Sequence, residues 1–435
     1  MKVYKPIFLL LISFYLKTLA VPAYCQDATD KDEEKGQFSM EIQIRPRAEF
    51  RNGAFTLRTE ESEPAFFISQ RSRLSAYYSK SKLKIGFGLQ NIRVWGSSPQ
   101  ITITEGNNTM VNEAWLAYQF TSELQIKAGR QALVYDDERI IGGLDWHQAG
   151  RWHDVLLTEY TPGDWKIHLA LGYNQDRENI LNNDYSAPGN HYKSIQMLWV
   201  GKPLGDRYKA SFLALNTGFE DTTSNNQNFM YTLGGNFYKT NGKLRFTSTF
   251  YYQAGKTFND LDVNAFMGAF YGSLAIANGL GVLFGTDYLS GDSYFIDENE
   301  TGGETNSFNP LYGTHHKFYG YMDYFYVISP HRNTGLWDKY AGLTWKATNK
   351  TNLRLAGHFF NSAGNIGLTD DVQYGTYLGT EIDLTFAVKI SEQLSINGGY
   401  SQMFATNSME TLKGGDSDLS QNWVWLMVSA RPEIF

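Results

Sequence analysis

Apolar and polar residues alternate along this chain over short stretches that recur almost to its end. From Phe38 to Phe50, Met40, Ile42, Ile44, Pro46, Ala48 and Phe50 fall on one parity, and Glu41, Gln43, Arg45, Arg47 and Glu49 on the other. Successive side chains of a strand point to opposite faces, so the stretch carries one oily and one charged face. In Trp165 to Asn174, Ile167, Leu169, Leu171 and Tyr173 oppose Lys166, His168, Ala170 and Gly172. In Tyr377 to Ile390, Ile382, Leu384, Phe386 and Val388 oppose Glu381, Asp383, Thr385 and Ala387. Segments of about ten residues with this pattern, separated by turn residues, are the signature of a transmembrane β-barrel. Nineteen segments qualify, Phe318 to Val327 among them; Asp154 to Thr161 and Val263 to Ala275 alternate least well. Single-chain bacterial barrels have even strand numbers, so the expectation is an all-β, antiparallel up-and-down transmembrane barrel of about 18 strands.

Turn chemistry agrees. Asn241-Gly242 is a hairpin dipeptide. Ser79 to Lys82 and Thr121 to Glu123 are equally brief, whereas Asp176 to Lys193, Phe219 to Asn228 and Ser290 to Lys317 are long and polar. Short turns belong at the periplasmic end of such a barrel and long loops outside. The chain closes on Trp423-Val424-Trp425-Leu426-Met427-Val428, with the tryptophans on one face. Pro432 has no N–H to give a ladder, which places the end of that strand before it.

Composition narrows the picture. Of 435 residues, 42% are hydrophobic, yet no apolar run after the N-terminus reaches the ~20 residues a membrane helix needs. Lipid leaves no backbone group unpaired, so a closed barrel is the remaining way across. Aromatics make up 15%, enough for girdles at two membrane interfaces. Lys2 and Lys5 followed by apolar Ile7 to Leu16 and the small residues near Ala23 read as a signal peptide over 1–25. Charged, aperiodic residues 26–37 read as a disordered leader, which leaves 38–435 for the barrel. Cys25 is the only cysteine, so no disulfide forms within the chain. Removing 1–25 takes away three lysines and no acid and leaves 35 basic and 45 acidic residues, a net charge of −10. That balance argues against nucleic-acid binding.

Assigning the oily parity to lipid produces the lumen inventory. It holds Arg45, Arg47, Arg71, Arg73, Lys127, Lys166, Arg245 and Arg354, with Glu41, Glu49, Glu381 and Asp383 as acidic partners. A lipid-facing Arg or Lys costs ~2–4 kcal/mol at the bilayer midplane, which favours the inward assignment. Such a ladder can steer an anionic solute, each guanidinium gripping a carboxylate through two hydrogen bonds. The competing reading is wall chemistry, with Arg45 paired to Glu41 or Glu49. The densest polar stretch, Gly129 to Asp154, adds Arg130, Arg151, Asp136, Asp137, Asp145 and Asp154, and it is expected to narrow the channel from a loop.

Gly129-Arg130-Gln131, Asp145-Trp146, HHKFYGYMDYF (His315 to Phe325), YLGTEIDLTF (Tyr377 to Phe386) and the closing WVWLM together resemble the alginate-export family of outer-membrane barrels, in its Bacteroidetes-type branch. The resemblance covers nearly the whole mature chain. It implies a monomeric barrel in the bacterial outer membrane whose arginine-rich lumen passes an anionic polysaccharide, with no cofactor. Partners would be that saccharide, outer-membrane lipid and a periplasmic export assembly. Of the lumen residues only Arg130 carries over by motif position. Its parity with Ala128 points it outward, so a bulge near Gly129 is expected. A general or nutrient-uptake porin without polymer specificity is the alternative.

Other chemistries have less support. His147, His153 and the His315-His316 pair lie near acids without a ligand spacing, and no metal is expected. No spacing singles out a serine nucleophile for a barrel hydrolase, so no catalysis is expected. Asp297-Glu298-Asn299-Glu300 lacks the EF-hand pattern and reads as a solvated loop.

Overall fold

The computed structural model describes residues 35–101, 108–181, 183, 185, 191–220, 227–297, 303–327 and 331–435. The expected signal peptide, most of the expected leader, Glu298 and Glu300 lie outside those residues. Eighteen long strands form the wall. The first nine are β1 (Gln37–Asn52), β2 (Ala65–Lys80), β3 (Leu83–Val94), β4 (Thr109–Gln119), β5 (Leu124–Gln131), β6 (His153–Tyr160), β7 (Lys166–Tyr173), β8 (Ser194–Leu204) and β9 (Tyr208–Glu220). The second nine are β10 (Gln227–Lys239), β11 (Leu244–Lys256), β12 (Asp262–Ala275), β13 (Leu280–Leu289), β14 (Leu336–Lys346), β15 (Thr351–Asn361), β16 (Tyr377–Lys389), β17 (Leu394–Ala405) and β18 (Gln421–Ala430). Each pairs antiparallel with its chain neighbours, and β18 pairs with β1 (Arg51 opposite Trp423, Ile44 opposite Ala430), so no edge is left open.

The strand β18 ends before Pro432, and the ladder to β1 runs on beyond it. The Ile42 amide donates to the Pro432 carbonyl at 3.2 Å, and Met40 and Ile434 bond each other's neighbourhood through Ile434 N to Met40 O at 2.8 Å. The poorly alternating segments form β6 and β12. The wrong assignment is Phe318 to Val327, which is a folded loop inside the barrel. Tyr319, Asp323 and Tyr326 there have φ of 63°, 57° and 60°, in the left-handed region that a strand does not use. The segment misleads because it is apolar on every side: Tyr319, Met322, Tyr324 and Phe325 are all buried.

Parity sorts the wall as the alternation requires. Along β1, Ile44 and Phe50 are exposed while Gln43, Arg45, Arg47 and Glu49 are buried. In β16, Ile382 and Leu384 are exposed and Glu381 and Asp383 are buried; in β18, Val424 and Leu426 are exposed and Trp423 and Trp425 are buried. Tight turns cluster at one end. At Asn241-Gly242 the Asn241 side chain accepts from the Gly242 amide at 2.7 Å and Gly242 takes φ of 97°, open to a residue without Cβ.

Two connections at the other end turn back into the barrel and pack as its core. One is 132–152, between β5 and β6. The other is the later part of the β13–β14 connection, with its 3₁₀ turn at His315–Lys317, so the two histidines lie on a turn and not on a strand. They meet where Ile141 bridges Tyr312; Gly142 donates to the Tyr312 carbonyl at 2.9 Å and Tyr312 to that of Ile140 at 3.1 Å. Leu133, Ile140, Ile141, Phe308, Leu311 and Met322 pack there against the inner wall. A buried ion pair clamps this body to the wall. Arg139 donates to both oxygens of Asp287 on β13, at 2.7 and 3.0 Å, and to Asp137 at 2.9 Å, over the Phe318 ring.

Two outcomes are expected. Leu355→Arg places a cation on the lipid face near the middle of β15 and should lower stability in bilayer unfolding titrations by ~2–4 kcal/mol, whereas the same substitution at inward Asn352 should change it little. Arg139→Met strands the buried Asp287 carboxylate and should destabilise by ~3–5 kcal/mol in the same titration; adding Asp287→Leu should recover most of the loss. Equal effects at 355 and 352, or no recovery in the double variant, would contradict this account of wall and clamp.

Candidate functional site

Apart from Arg130, which keeps the outward parity of Ala128, the expected wall cations face inward, but three of them sit under the infolded loop. Arg45, Arg47 and Arg71 are 3%, 5% and 0% exposed. Arg45 donates to Asp145 at 3.2 Å and to Gln148 Oε1 at 3.0 Å through Nη2, and Arg71 donates to Asp145 at 2.8 Å and to Gln43 at 2.7 Å. Arg45 therefore pairs with neither Glu41 nor Glu49. Arg47 binds Glu49 at 2.8 Å and the Trp146 carbonyl at 2.8 Å; Arg51 also holds Glu49, at 2.8 Å. The reading of these three arginines as an open ladder is corrected accordingly: they tie residues 145–148 to β1 and β2. Burial would raise the Asp145 pKa, but the Arg71 and Arg45 guanidiniums outweigh it and hold the carboxyl below its ordinary value. His147 is pushed down by burial and by Arg47, Arg151 and Arg45, which keeps it neutral.

The remaining acids are also engaged. Glu41 takes Arg431 at 2.6 Å. Asp136 accepts from Trp199 at 2.9 Å and Ser211 at 2.6 Å, and Asp137 belongs to the Arg139 clamp, so both serve the wall contact and not an open path. Glu381 accepts from the Met322 amide at 2.9 Å, and Asp383 lies 3.8 Å from His358, which is bonded to Asp338. Arg130 pairs with Asp154 at 2.8 Å in a half-exposed contact directly across the β5–β6 ladder. Gly129 has φ of 116°, but the register from β4 to β5 runs through it without a slip, so the expected bulge is reduced to one irregular residue. Lys166 and Arg245 have inward parity and stand exposed near the tight-turn end.

Of the expected lumen arginines, three are held only by neutral groups among the described residues. Arg73 donates to Gln90 Oε1 at 3.1 and 2.8 Å and lies over Trp152. Arg151 donates to the Gly313 carbonyl at 2.7 Å. Arg354 donates to the Tyr321 hydroxyl, and its Nε has no partner. Among the described residues no carboxylate lies within 4.0 Å of any of the three. Each lines its own space: Arg73 a cavity of about 230 Å³, Arg151 one of about 1190 Å³, Arg354 one of about 610 Å³.

The two larger cavities share Trp146, His316 and Tyr321 in their walls. Trp146 stacks on His316 with ring centres 4.3 Å apart, carries Arg47 on its ring at 4.2 Å, and meets Trp425 edge-on at 4.7 Å. His316 is fixed by Asp323 at 2.8 Å. This aromatic partition escaped sequence reading, as did Arg139–Asp287 and Gln148; only the proximity of Trp146 to Asp145 in the dense polar stretch hinted at it. Among the described residues no group of three His, Cys, Asp or Glu side chains is arranged to hold a metal ion.

Solved structures with this architecture include OccAB1 of Acinetobacter baumannii, at 11% identity over 93% of this chain and 100% of that one, with a TM-score of 0.63. A BenF-like porin from Pseudomonas fluorescens Pf-5 aligns at 13% identity over 92% and 99% with a TM-score of 0.61, and OccK5 (OpdH) of Pseudomonas aeruginosa at 11% over 92% and 99% with 0.57. At those identities the likeness speaks for the fold. No curated protein matches the sequence. The profile of the family described as Alginate export matches residues 37–421. The chain thus belongs to the alginate export family, among the channel-forming β-barrels of the bacterial outer membrane.

Proposed function

We propose that this outer-membrane channel passes an anionic saccharide by passive, electrostatically selective diffusion, as a monomer and without a cofactor. The observation that carries the reading is the trio Arg73, Arg151 and Arg354. A guanidinium taken partly out of water without a carboxylate is costly unless something else stabilises it, and an anion passing through would do so. Each of the three faces a different cavity, so together they offer successive stations. Arg45, Arg47 and Arg71 contribute less directly, because Asp145 and Glu49 offset part of their charge and hold them under the loop. A periplasmic export assembly would deliver the saccharide in this scheme.

A second reading has one observation in its favour. The infolded loops divide the interior at Trp146, which suits small anionic solutes better than a polymer and fits an uptake porin. Both readings share the three guanidiniums and differ in what enters.

Single-channel recording under a salt gradient tests the charge. The triple variant Arg73→Gln, Arg151→Gln, Arg354→Gln should lower the anion-to-cation permeability ratio by about three- to tenfold, while Arg45→Gln alone should lower it by less than about twofold. An unaltered ratio in the triple variant would refute the trio as the selective element. Polyuronate added to the wild-type channel should block the current if polymer enters; block by single uronate sugars alone would instead establish the small-solute porin.

A further inference from the structure

A fourth cavity stands apart from the three just described and shares no lining residue with them. It measures about 400 Å³ and lies between the inner faces of β3 to β7, within the size range of ordinary small-molecule sites. Residues 132–135 cover it on one side, where Leu133 and Tyr135 are buried in the core. Lys84, Gln125 and Glu159 line its other end, each beside a tight turn, so it opens toward the periplasmic mouth.

Its chemistry is specific. The Lys127 ammonium rests 3.9 Å from the centre of the Trp115 ring and makes no ion pair among the described residues. Trp115 lies flat over Gly86, where any Cβ would strike the indole. The Trp115 Nε1 donor and the Gln131 Oε1 acceptor are both buried and without a hydrogen-bond partner, and Gln131 is fully buried. His168 gives Nδ1 to the Tyr135 hydroxyl at 2.9 Å, which fixes the ring and leaves Nε2 as its remaining polar atom. Buried polar groups left unmatched need an explanation. A cation and an indole N–H ask for an anionic acceptor; an amide oxygen asks for a donor.

We propose that, after a side-chain shift that uncovers the buried Trp115 Nε1 and Gln131 Oε1, this side pocket binds a small hydroxy-carboxylate from the periplasmic side, the carboxylate on Lys127 and Trp115 Nε1 and a hydroxyl donating to Gln131 Oε1. The pocket is a binding site beside the conduction path, and the proposal does not depend on what the channel conducts.

Isothermal titration of the full chain in detergent tests it with D-gluconate, compared with sorbitol, which lacks the charge, and acetate, which lacks the hydroxyls. Gluconate should bind at one site, at least tenfold more tightly than either comparison compound. Trp115→Phe, Lys127→Met and Gln131→Leu should each weaken it at least fivefold in proteins that keep the heat-modifiable mobility of a folded barrel. The Arg73, Arg151, Arg354 triple variant should keep gluconate binding, which separates this site from the path. Gluconate binding no tighter than sorbitol, or unchanged in the folded pocket variants, would overturn the proposal.

Discussion

Everything in this molecule follows from the need to satisfy every backbone N–H and C=O where no water is at hand. A strand can do that in lipid only with a partner on each side, and the one arrangement that provides two partners for every strand is a closed ring. The pairing of β1 with β18 is therefore the contact on which the rest depends. It is also more extensive than the last strand itself. The tail from Pro432 onward adds backbone bonds to Met40 and Ile42, so closure is secured where the first strand begins. Once the ring is shut, period-two alternation does the remaining sorting, and a single register places all the oily side chains of β1 outside and all its ionic ones inside.

The charged interior first serves cohesion. Arg45 and Arg71 converge on Asp145, and Arg139 grips Asp287, so the infolded connection 132–152 is fastened to the wall by charge as well as by apolar contact. A buried pair such as Arg139–Asp287 adds little over an apolar substitute, yet losing one partner is severe. Such pairs act as registration pins that seat the loop in one position. The left-handed residues Asp136, Glu138, Leu144, Tyr319, Asp323 and Tyr326 belong to the same logic. Non-glycine residues hold such φ values only when the surroundings over-determine them.

What could be read from the sequence and what could not divides along this line. Strand parity, the tight turns and the inward position of Arg45, Arg71 and Arg354 depend on neighbours one or two residues away in sequence, and alternation reports them directly. Phe318 to Val327 shows where local reading fails. Its aromatic richness looks like a strand, but its side chains are buried against a wall contributed by distant strands. The partners of Arg45 are likewise about a hundred residues away. Alternation records that a side chain faces inward and is silent on what has folded in to meet it.

This distinction changes how a basic lumen should be weighed. Counting arginines on the inner parity treats Arg45 and Arg73 alike, because both carry inward parity on neighbouring strands. Their surroundings differ in kind: Arg45 meets a carboxylate, and Arg73 meets an amide oxygen and an indole face. The field a passing anion feels comes from charge that remains uncompensated, so a matched pair presents only a dipole that fades quickly with distance. By that measure the attraction within this barrel is concentrated at few positions, spaced from one cavity to the next, and the aromatic partition at Trp146 stands between the two largest of them. Selectivity and obstruction then reside in different residues, which lets either change without unfastening the loops that support both.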